Sequence, residues 1–182
     1  MRSVLEGRPA APDPYREPVE FAVLVALFEE AGEARVLLTR RAGHLRRNQG
    51  EVAFPGGRLE AGEDAPQAAL REAFEEVDLD PGEVEVIGEL SPLSTVSRSS
   101  LIQPVVGILG RRPELKANPE EVSEIFDVAL VDLADPAVFR EEVWTLPDGT
   151  ERPIYFYDVC DPPAWGATAR VLKELLDVIE EG

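Results

Sequence analysis

The sequence has very little of several residue types, and each shortage excludes a class of protein. Its 182 residues include one cysteine and one histidine. Cys160 alone cannot form an intramolecular disulfide, so we expect a reducing compartment. His44 has no second histidine and no cysteine near it, which argues against a zinc site. No apolar run approaches the length of about 20 residues that a bilayer requires, and residues 1–18 lack the apolar stretch of a signal peptide. We therefore expect a cytoplasmic protein with no membrane partner.

Basic residues are also scarce in this chain. It contains 36 acidic and 18 basic residues, and its net charge is −18. Such a protein repels nucleic acid over most of its surface, so we expect a small-molecule substrate and no nucleic acid. An anionic ligand would need bound cations or clustered arginines that reverse the local field. The sequence leaves a monomer and a homodimer both open.

The pattern of apolar residues predicts one domain, 19–182, behind an extended proline-rich leader, 1–18. Strands are predicted at 19–28, 35–40, 50–57, 84–93, 101–110, 126–133 and 153–159. The first two form a predicted hairpin, and the third ends at a Pro-Gly-Gly break. A polar loop at 94–100 connects the strands at 84–93 and 101–110. Segment 137–153 is interpreted as a hairpin that serves either substrate binding or a dimer interface.

Two helices have clear local signals. The first begins at Asp64, with Pro66 in its first turn and Gln67 placed for a capping box. The second lies within 165–181 and repeats apolar residues at helical spacing. Together with the strands, these helices predict an α+β fold in which helices pack on both sides of a mixed β-sheet.

The first helix carries an unusual concentration of acids in "LREAFEEVD", residues 70–78. An apolar arc is formed by Ala69, Leu70, Ala73, Phe74 and Val77. Glu72, Glu75 and Glu76 lie beside this arc, and like charges at that spacing cost an isolated helix about 0.2–0.5 kcal/mol per pair. A hard divalent cation, Mg²⁺ or Mn²⁺, would offset that repulsion, since carboxylate oxygens are its preferred ligands. The alternative is a solvated acidic face.

The surrounding residues resemble a family signature. Gly57, five residues, Glu63, seven residues and then "REAFEEVDL" (71–79) resemble the signature of the Nudix hydrolases, with Asp78 in place of a glycine. The resemblance implies a Nudix α/β/α sandwich and metal-dependent cleavage of a nucleoside diphosphate derivative. It also implies roles for the matching residues. Glu72, Glu75, Glu76 and the Gly57 carbonyl would hold the metal, with Glu75 and Glu76 also catalytic, and Glu63 and Arg71 would support them. Since aspartate tolerates the left-handed conformation of a helix end, we predict that the turn at Asp78 is kept.

A second resemblance concerns the substrate. The stretch "LLTRRAGHLRRNQGEVAFPGG" (37–57) resembles the additional signature of the coenzyme A pyrophosphatase branch, with Ala42 in place of a serine. It implies hydrolysis of coenzyme A or acyl-CoA to 3′,5′-ADP and (acyl-)4′-phosphopantetheine. Arg40, Arg41, Arg46 and Arg47 would contact the phosphates, because guanidinium groups suit phosphate oxygens. The alternative is a basic loop that pairs with nearby acids.

Residues outside the signature complete the hypothesis. Nudix enzymes often need a further acid, and "NPEEVSEIF" (118–126) offers Glu121 as the first choice of base or ligand and Glu124 as the second. An acidic surface turn is the alternative for both. Two rival functions stay open. One is the same chemistry on ADP-ribose, a dinucleoside polyphosphate or another nucleotide. The other is a non-catalytic binding module, although such a module would be expected to lose the signature glutamates that this chain keeps.

Overall fold

The computed structural model of the chain describes residues 5–6, 18–94, 101–146 and 149–181. The predicted loop at 94–100 lies outside the described residues except for Ser94, and the proline-rich leader does so except for Leu5, Glu6 and Pro18. The Leu5 side chain is buried in the main apolar core. Within the described residues, the helices are too short or too polar to cross a membrane.

The described residues form strands and helices with the following bounds. The strands are β1 Val19–Glu30, β2 Glu33–Arg41, β3 Val52–Ala53, β4 Gly56–Arg58, β5 Val84–Glu89, β6 Leu93–Ser94, β7 Leu101–Leu109, β8 Val122–Ala129, β9 Phe139–Thr145, β10 Glu151–Tyr157 and β11 Ala164–Trp165. The helices are α1 Ala65–Val77, α2 Leu130–Leu133 and α3 Gly166–Glu180, and a 3₁₀ turn spans Pro81–Glu83.

The main sheet is mixed and lies between helices. Its strand order is β3-β2-β1-β7-β5, with β4 beside β1, β6 beside β7 and β8 beside β2. β1 and β7 are parallel, whereas the other pairs are antiparallel. Along β1, Leu24 and Phe28 pack in one cluster with the buried residues of α1, and Val25 and Leu27 pack in a second cluster with those of α3. Helices therefore cover both faces of the sheet, which confirms the predicted α+β fold.

A smaller sheet of three antiparallel strands has the order β11-β10-β9. Its hairpin of β9 and β10 confirms the hairpin predicted at 137–153, although residues 147–148 lie outside the described part. Trp144, Phe156 and Trp165 pack together on this sheet, with ring centroids 5.8–6.3 Å apart. The role of the hairpin in substrate binding or dimer formation stays a prediction.

The predicted strand at 126–133 is wrong at both ends. β8 begins at Val122 and ends at Ala129, and the residues that follow form α2. The cause is pairing, because β8 runs along β2 from the pair Val122–Arg41 to the pair Ala129–Arg35. The apolar run "FDVALVDL" suits a strand or a helix, and its local pattern did not show where the partner strand ends.

The predicted strands at 84–93 and 50–57 are each divided in two. Pro92 lies between β5 and β6, and Pro55 lies between β3 and β4. β4 begins within the predicted Pro-Gly-Gly break, at Gly56. Gly56 pairs with Val23 of β1, and a Cβ at this glycine would lie 2.6 Å from Val23 Cα. The proline thus ends the pairing of β3, as predicted, whereas Gly56 allows a close approach of β4 to β1.

Candidate metal centre and active site

Helix α1 begins and ends with well-defined caps. Asp64 accepts a hydrogen bond from the Gln67 N–H at 2.9 Å, and Gln67 Oε1 accepts one from the Asp64 N–H at 3.0 Å. This is the predicted capping box. At the other end Asp78 has φ 60° and ψ 31°, and its N–H donates to the carbonyls of Ala73 and Phe74. The prediction of a left-handed aspartate at this turn is confirmed.

Three carboxylates converge beside α1. Oxygens of Glu72, Glu76 and Glu121 all lie within 4.8 Å of one another. Glu76 is buried, and burial raises the pKa of its carboxyl to about 7, with Glu121 and Glu72 adding to the rise. The Gly56 N–H donates to Glu76 Oε2 at 3.0 Å and opposes that rise, as does Arg41. A set of three hard oxygen donors, gathered against their own repulsion and partly desolvated, fits a divalent cation.

Gly57 lies directly against this group. A Cβ at position 57 would lie 2.5 Å from Glu72 Oε2 and closer still to two other atoms of that carboxylate. Gly57 is held in place by β4, where it pairs with Ala22 of β1. The glycine therefore leaves the space that the Glu72 carboxylate occupies, and it brings the strand backbone next to the carboxylates.

Arg71 connects the loop before α1 to the acids on the helix. Its guanidinium binds Glu63 in a bidentate manner, with Nε–Oε1 2.8 Å and Nη2–Oε2 3.0 Å. This pairing holds the pKa of Glu63 well below its usual range, at about 2. Arg71 Nη1 also donates to Glu72 Oε1 at 3.0 Å and to Glu75 Oε2 at 3.1 Å. Arg71 thus fixes the orientation of Glu72, as hydrogen-bonding partners of metal-binding side chains do.

The structure places Glu75 apart from the three converging carboxylates. Its side chain is half exposed and directed to Arg71. The third carboxylate beside Glu72 and Glu76 belongs to Glu121, whereas the family resemblance implied Glu75 there. The predicted ligand and catalytic roles of Glu75, like those of the other site residues, stay predictions.

Asn118 is a site residue that the sequence analysis missed. Its N–H donates to the Glu76 carbonyl at 2.8 Å, and its side-chain amide donates to the Glu75 carbonyl at 3.3 Å. The Asn118 carbonyl in turn accepts the N–H groups of Glu121 and Val122 at 3.0 and 2.8 Å. Asn118 therefore fastens the segment of Glu121 to the end of α1. The dipeptide Asn-Pro, a turn signal, was the available clue.

The four arginines of the 37–57 stretch have different surroundings. Arg40 pairs with Glu124 at 2.8 Å, so this arginine and the second-choice acid neutralise each other. Arg41 reaches the carboxylates, with Nη1 3.8 Å from Glu76 Oε1, and its buried Nε has no hydrogen-bond partner among the described residues. Arg46 and Arg47 are exposed and have no ion pair within the part of the chain that the structure describes. The alternative of a basic loop paired with acids therefore applies to Arg40, whereas the acid near Arg41 is Glu76 of the carboxylate group itself.

Ala42, which stands where the related signature has serine, is buried. Its N–H donates to the Glu121 carbonyl at 2.8 Å. The arginine loop is thereby attached through its backbone to the segment that carries the third carboxylate. The side-chain hydroxyl is absent, but the backbone at this position contributes to the geometry of the site.

Comparison with known proteins identifies the family. The NUDIX domain matches residues 19–146 of this chain. The chain belongs to the Nudix family. It is 36% identical over 146 residues to the uncharacterized Nudix hydrolase NudL of Photorhabdus laumondii, covering 80% of this chain and 77% of that one. It is also 36% identical over 144 residues to the peroxisomal coenzyme A diphosphatase NUDT7 of Mus musculus, covering 79% of this chain but 60% of the mouse protein, less than two thirds of its length.

Solved structures agree on the fold. The Nudix hydrolase RenU of M. smegmatis superimposes with a TM-score of 0.55 at 24% sequence identity, covering 64% of this chain and 74% of that one. The protein is thus a hydrolase of the Nudix family, whose members generally need a divalent metal. The group of Glu72, Glu76 and Glu121 offers the ligands for one.

Proposed function

We propose that this Nudix hydrolase cleaves the diphosphate bond of coenzyme A or acyl-CoA and releases 3′,5′-ADP and (acyl-)4′-phosphopantetheine. The observation that carries the proposal is the position of Arg41. It belongs to the stretch that resembles the coenzyme A pyrophosphatase signature, and its guanidinium lies 3.8 Å from Glu76 of the carboxylate group. The similarity to the mouse protein named a coenzyme A diphosphatase, at 36% identity, supports the same substrate.

Mg²⁺ or Mn²⁺ is the proposed cofactor, held by Glu72, Glu76 and Glu121, with Glu75 and the Gly57 carbonyl as further ligands. When bound, such a cation polarises phosphoryl oxygens and lowers the pKa of a coordinated water. The chain's own residues prepare the site in three ways. Arg71 holds Glu72 and Glu63 in fixed orientations. The Gly56 N–H holds one oxygen of Glu76, so its other oxygen is directed to the arginine side of the site. Glu121, attached through Asn118, is the proposed base or third ligand.

The arginines supply the local reversal of charge that a protein of net charge −18 needs. Arg41 would contact a phosphate oxygen of the diphosphate next to the carboxylates. Arg46 and Arg47 are exposed and remain the proposed contacts for the 3′-phosphate. Arg40 is already paired with Glu124, so its contribution is to hold the loop to β8. The preference for a small anionic substrate over nucleic acid follows from the acidic surface around this one basic loop.

The remaining expectations concern the surroundings of the enzyme. We propose a cytoplasmic location, since the single cysteine suits a reducing compartment. A monomer and a homodimer are both compatible with the proposed chemistry, because all proposed site residues belong to one chain.

The decisive experiment is a metal-dependent activity screen. Coenzyme A, dephospho-coenzyme A, ADP-ribose and a dinucleoside polyphosphate are compared by kcat/KM, with phosphopantetheine release as readout for the first. We expect coenzyme A to be preferred, and Arg46→Ala with Arg47→Ala to abolish its advantage over dephospho-coenzyme A. Glu76→Gln should lower turnover more than about 100-fold, since loss of a ligand exceeds the 10–100-fold loss typical of its supporting partners. A higher kcat/KM for ADP-ribose or the dinucleoside polyphosphate would contradict the proposed substrate.

A further inference from the structure

Glu51 is a partly buried acid beside the candidate metal centre. It immediately precedes β3 and lies across from the last residue of β2. The Arg41 N–H donates to the Glu51 carbonyl at 3.0 Å, and the Gly50 N–H donates to the Arg41 carbonyl at 3.1 Å. Because Gly50 has φ 68°, Gly50 and Glu51 together oppose Arg41 in the manner of a G1 β-bulge. Glu51 is therefore a cross-strand neighbour of Arg41, and such neighbours have Cβ atoms about 4.5–5.5 Å apart.

The side chains of Glu51 and Arg41 lie on the face of the sheet that carries α1. Val52 packs in the apolar cluster of α3, and successive residues of a strand point to opposite faces, so Glu51 points toward the side of α1. Arg41 points the same way, since its Nη1 lies 3.8 Å from Glu76 Oε1. Arg41 therefore has two acidic neighbours. Glu76 belongs to the group of three converging carboxylates, whereas Glu51 does not.

Neither acid forms a hydrogen bond with the Arg41 guanidinium. The separation of 3.8 Å from Glu76 exceeds hydrogen-bond distance, and the buried Arg41 Nε has no partner among the described residues. The Glu51 carboxylate accepts no hydrogen bond within the part of the chain that the structure describes. Burial raises the pKa of this carboxyl, and the positive charge of Arg41 opposes the rise. Arg41 can therefore shift between the two acids without breaking a hydrogen bond.

Charge determines which of the two acids attracts Arg41 more strongly. Glu76 would lose most of its attraction for Arg41 once it shares its charge with a divalent cation, and the cation would repel Arg41. Glu51 would keep its full charge. With a neutral residue at position 51, Arg41 would have Glu76 as its one remaining neighbour of opposite charge among these two, and it would compete with the cation for that carboxylate.

We propose that Glu51 is a positioning residue that draws the Arg41 guanidinium away from Glu76 and so leaves the Glu76 carboxylate available to the metal ion. Glu51 acts through Arg41 and is not itself a ligand. The proposal rests on the proposed metal centre, in which Glu76 is a ligand, but it does not depend on which diphosphate is the substrate.

The test is a double-mutant cycle on Mn²⁺ binding, measured by electron paramagnetic resonance on the full chain without substrate. Glu51→Gln is introduced into the original protein and into Arg41→Ala. Charges that stay in place contribute additively to the binding free energy, whereas an effect that acts through Arg41 disappears when Arg41 is absent. We expect Glu51→Gln to raise the dissociation constant about tenfold in the original protein and about threefold or less in Arg41→Ala, where the loss of its own charge remains.

Glu120→Gln is the matched control, because Glu120 is an exposed acid adjacent to Glu121 and its replacement removes the same charge. It should change the dissociation constant by the same factor with and without Arg41. The role of Glu51 is overturned if Glu51→Gln also acts by the same factor in both proteins.

Glu76→Gln in the same titration separates this failure from a failure of the metal centre. An unchanged Mn²⁺ affinity in that variant would contradict the proposed metal centre and the role of Glu51 with it. If Glu76→Gln weakens Mn²⁺ binding while Glu51→Gln acts equally in both proteins, the metal centre stands and the role of Glu51 alone is wrong.

Discussion

The substitution Gly57→Ala adds one methyl group beside the Glu72 carboxylate and tests whether the candidate metal centre depends on the position of that carboxylate. In the structure a Cβ at this position would lie 2.5 Å from Glu72 Oε2. The ordinary van der Waals separation of non-bonded carbon and oxygen atoms is about 3.5 Å, so the Glu72 carboxylate must move by about 1 Å. Arg71 Nη1 holds the same carboxylate at 3.0 Å, which limits where it can go.

The expected effect follows from how little displacement a metal site tolerates. Ligands must stay within about 0.5 Å of their working positions, and a misplacement of about 1 Å costs about 100-fold in activity. We therefore expect Gly57→Ala to raise the dissociation constant for Mn²⁺ by about 10–100-fold. The thermal stability of the metal-free protein should change little, because the atoms that must move form the end of a side chain.

The measurement is a Mn²⁺ titration followed by electron paramagnetic resonance, alongside the Mn²⁺ dependence of hydrolysis. Gly110→Ala is the control, because a Cβ at that glycine meets nothing within 4 Å. It should bind Mn²⁺ like the original protein. Equal Mn²⁺ affinities for Gly57→Ala and Gly110→Ala would refute the role assigned to the Gly57–Glu72 contact.

Three further substitutions test other parts of the fold by urea unfolding. Burial raises the pKa of Tyr157 to about 12, so the free energy of unfolding falls by about 2 kcal/mol as pH rises from about 10 to about 12. Tyr157→Phe should not show this fall, and a variant with the same alkaline profile as the original protein would contradict the reasoning. Asp78→Gly relieves a left-handed conformation of a non-glycine residue and should raise the free energy of unfolding by up to about 1 kcal/mol, whereas Asp78→Val should lower it. Asp64→Ala breaks the capping box and should lower the free energy of unfolding by about 1 kcal/mol, with no loss expected if the cap contributes nothing.

The parts of the molecule that could be predicted are those with local signals. Helix α1 has a cap, a helical period and a turn residue within the fifteen positions from Asp64 to Asp78, and its bounds agree with the prediction. The clustering of Glu72 and Glu76 follows from the same period, since residues four apart share a helix face.

The parts that could not be predicted depend on distant partners. Glu75 and Glu76 are neighbours of the same type, yet one pairs with Arg71 and is half exposed while the other is buried. The i,i+4 spacing of Arg71 and Glu75 accounts for their ion pair. The helix does not show that Gly56 and Arg41, from distant strands, enclose Glu76. Similarly, the pairing of Arg40 with Glu124 is set by the register of β2 against β8, and no local pattern in either strand contains that register.

The end of α1 explains why the three carboxylates converge although Asp78 replaces the glycine of the signature. A helix leaves its last carbonyls without partners, and these must be satisfied. The Asp78 N–H donates to the carbonyls of Ala73 and Phe74, and Asn118 donates to the carbonyls of Glu75 and Glu76. The segment that satisfies them also carries Glu121, so a requirement of helix stability places the third carboxylate beside the other two. What the turn must provide is the left-handed conformation, which directs the chain away and leaves these carbonyls open to Asn118. Aspartate provides it with φ 60°, and the geometry of the site is therefore independent of glycine itself.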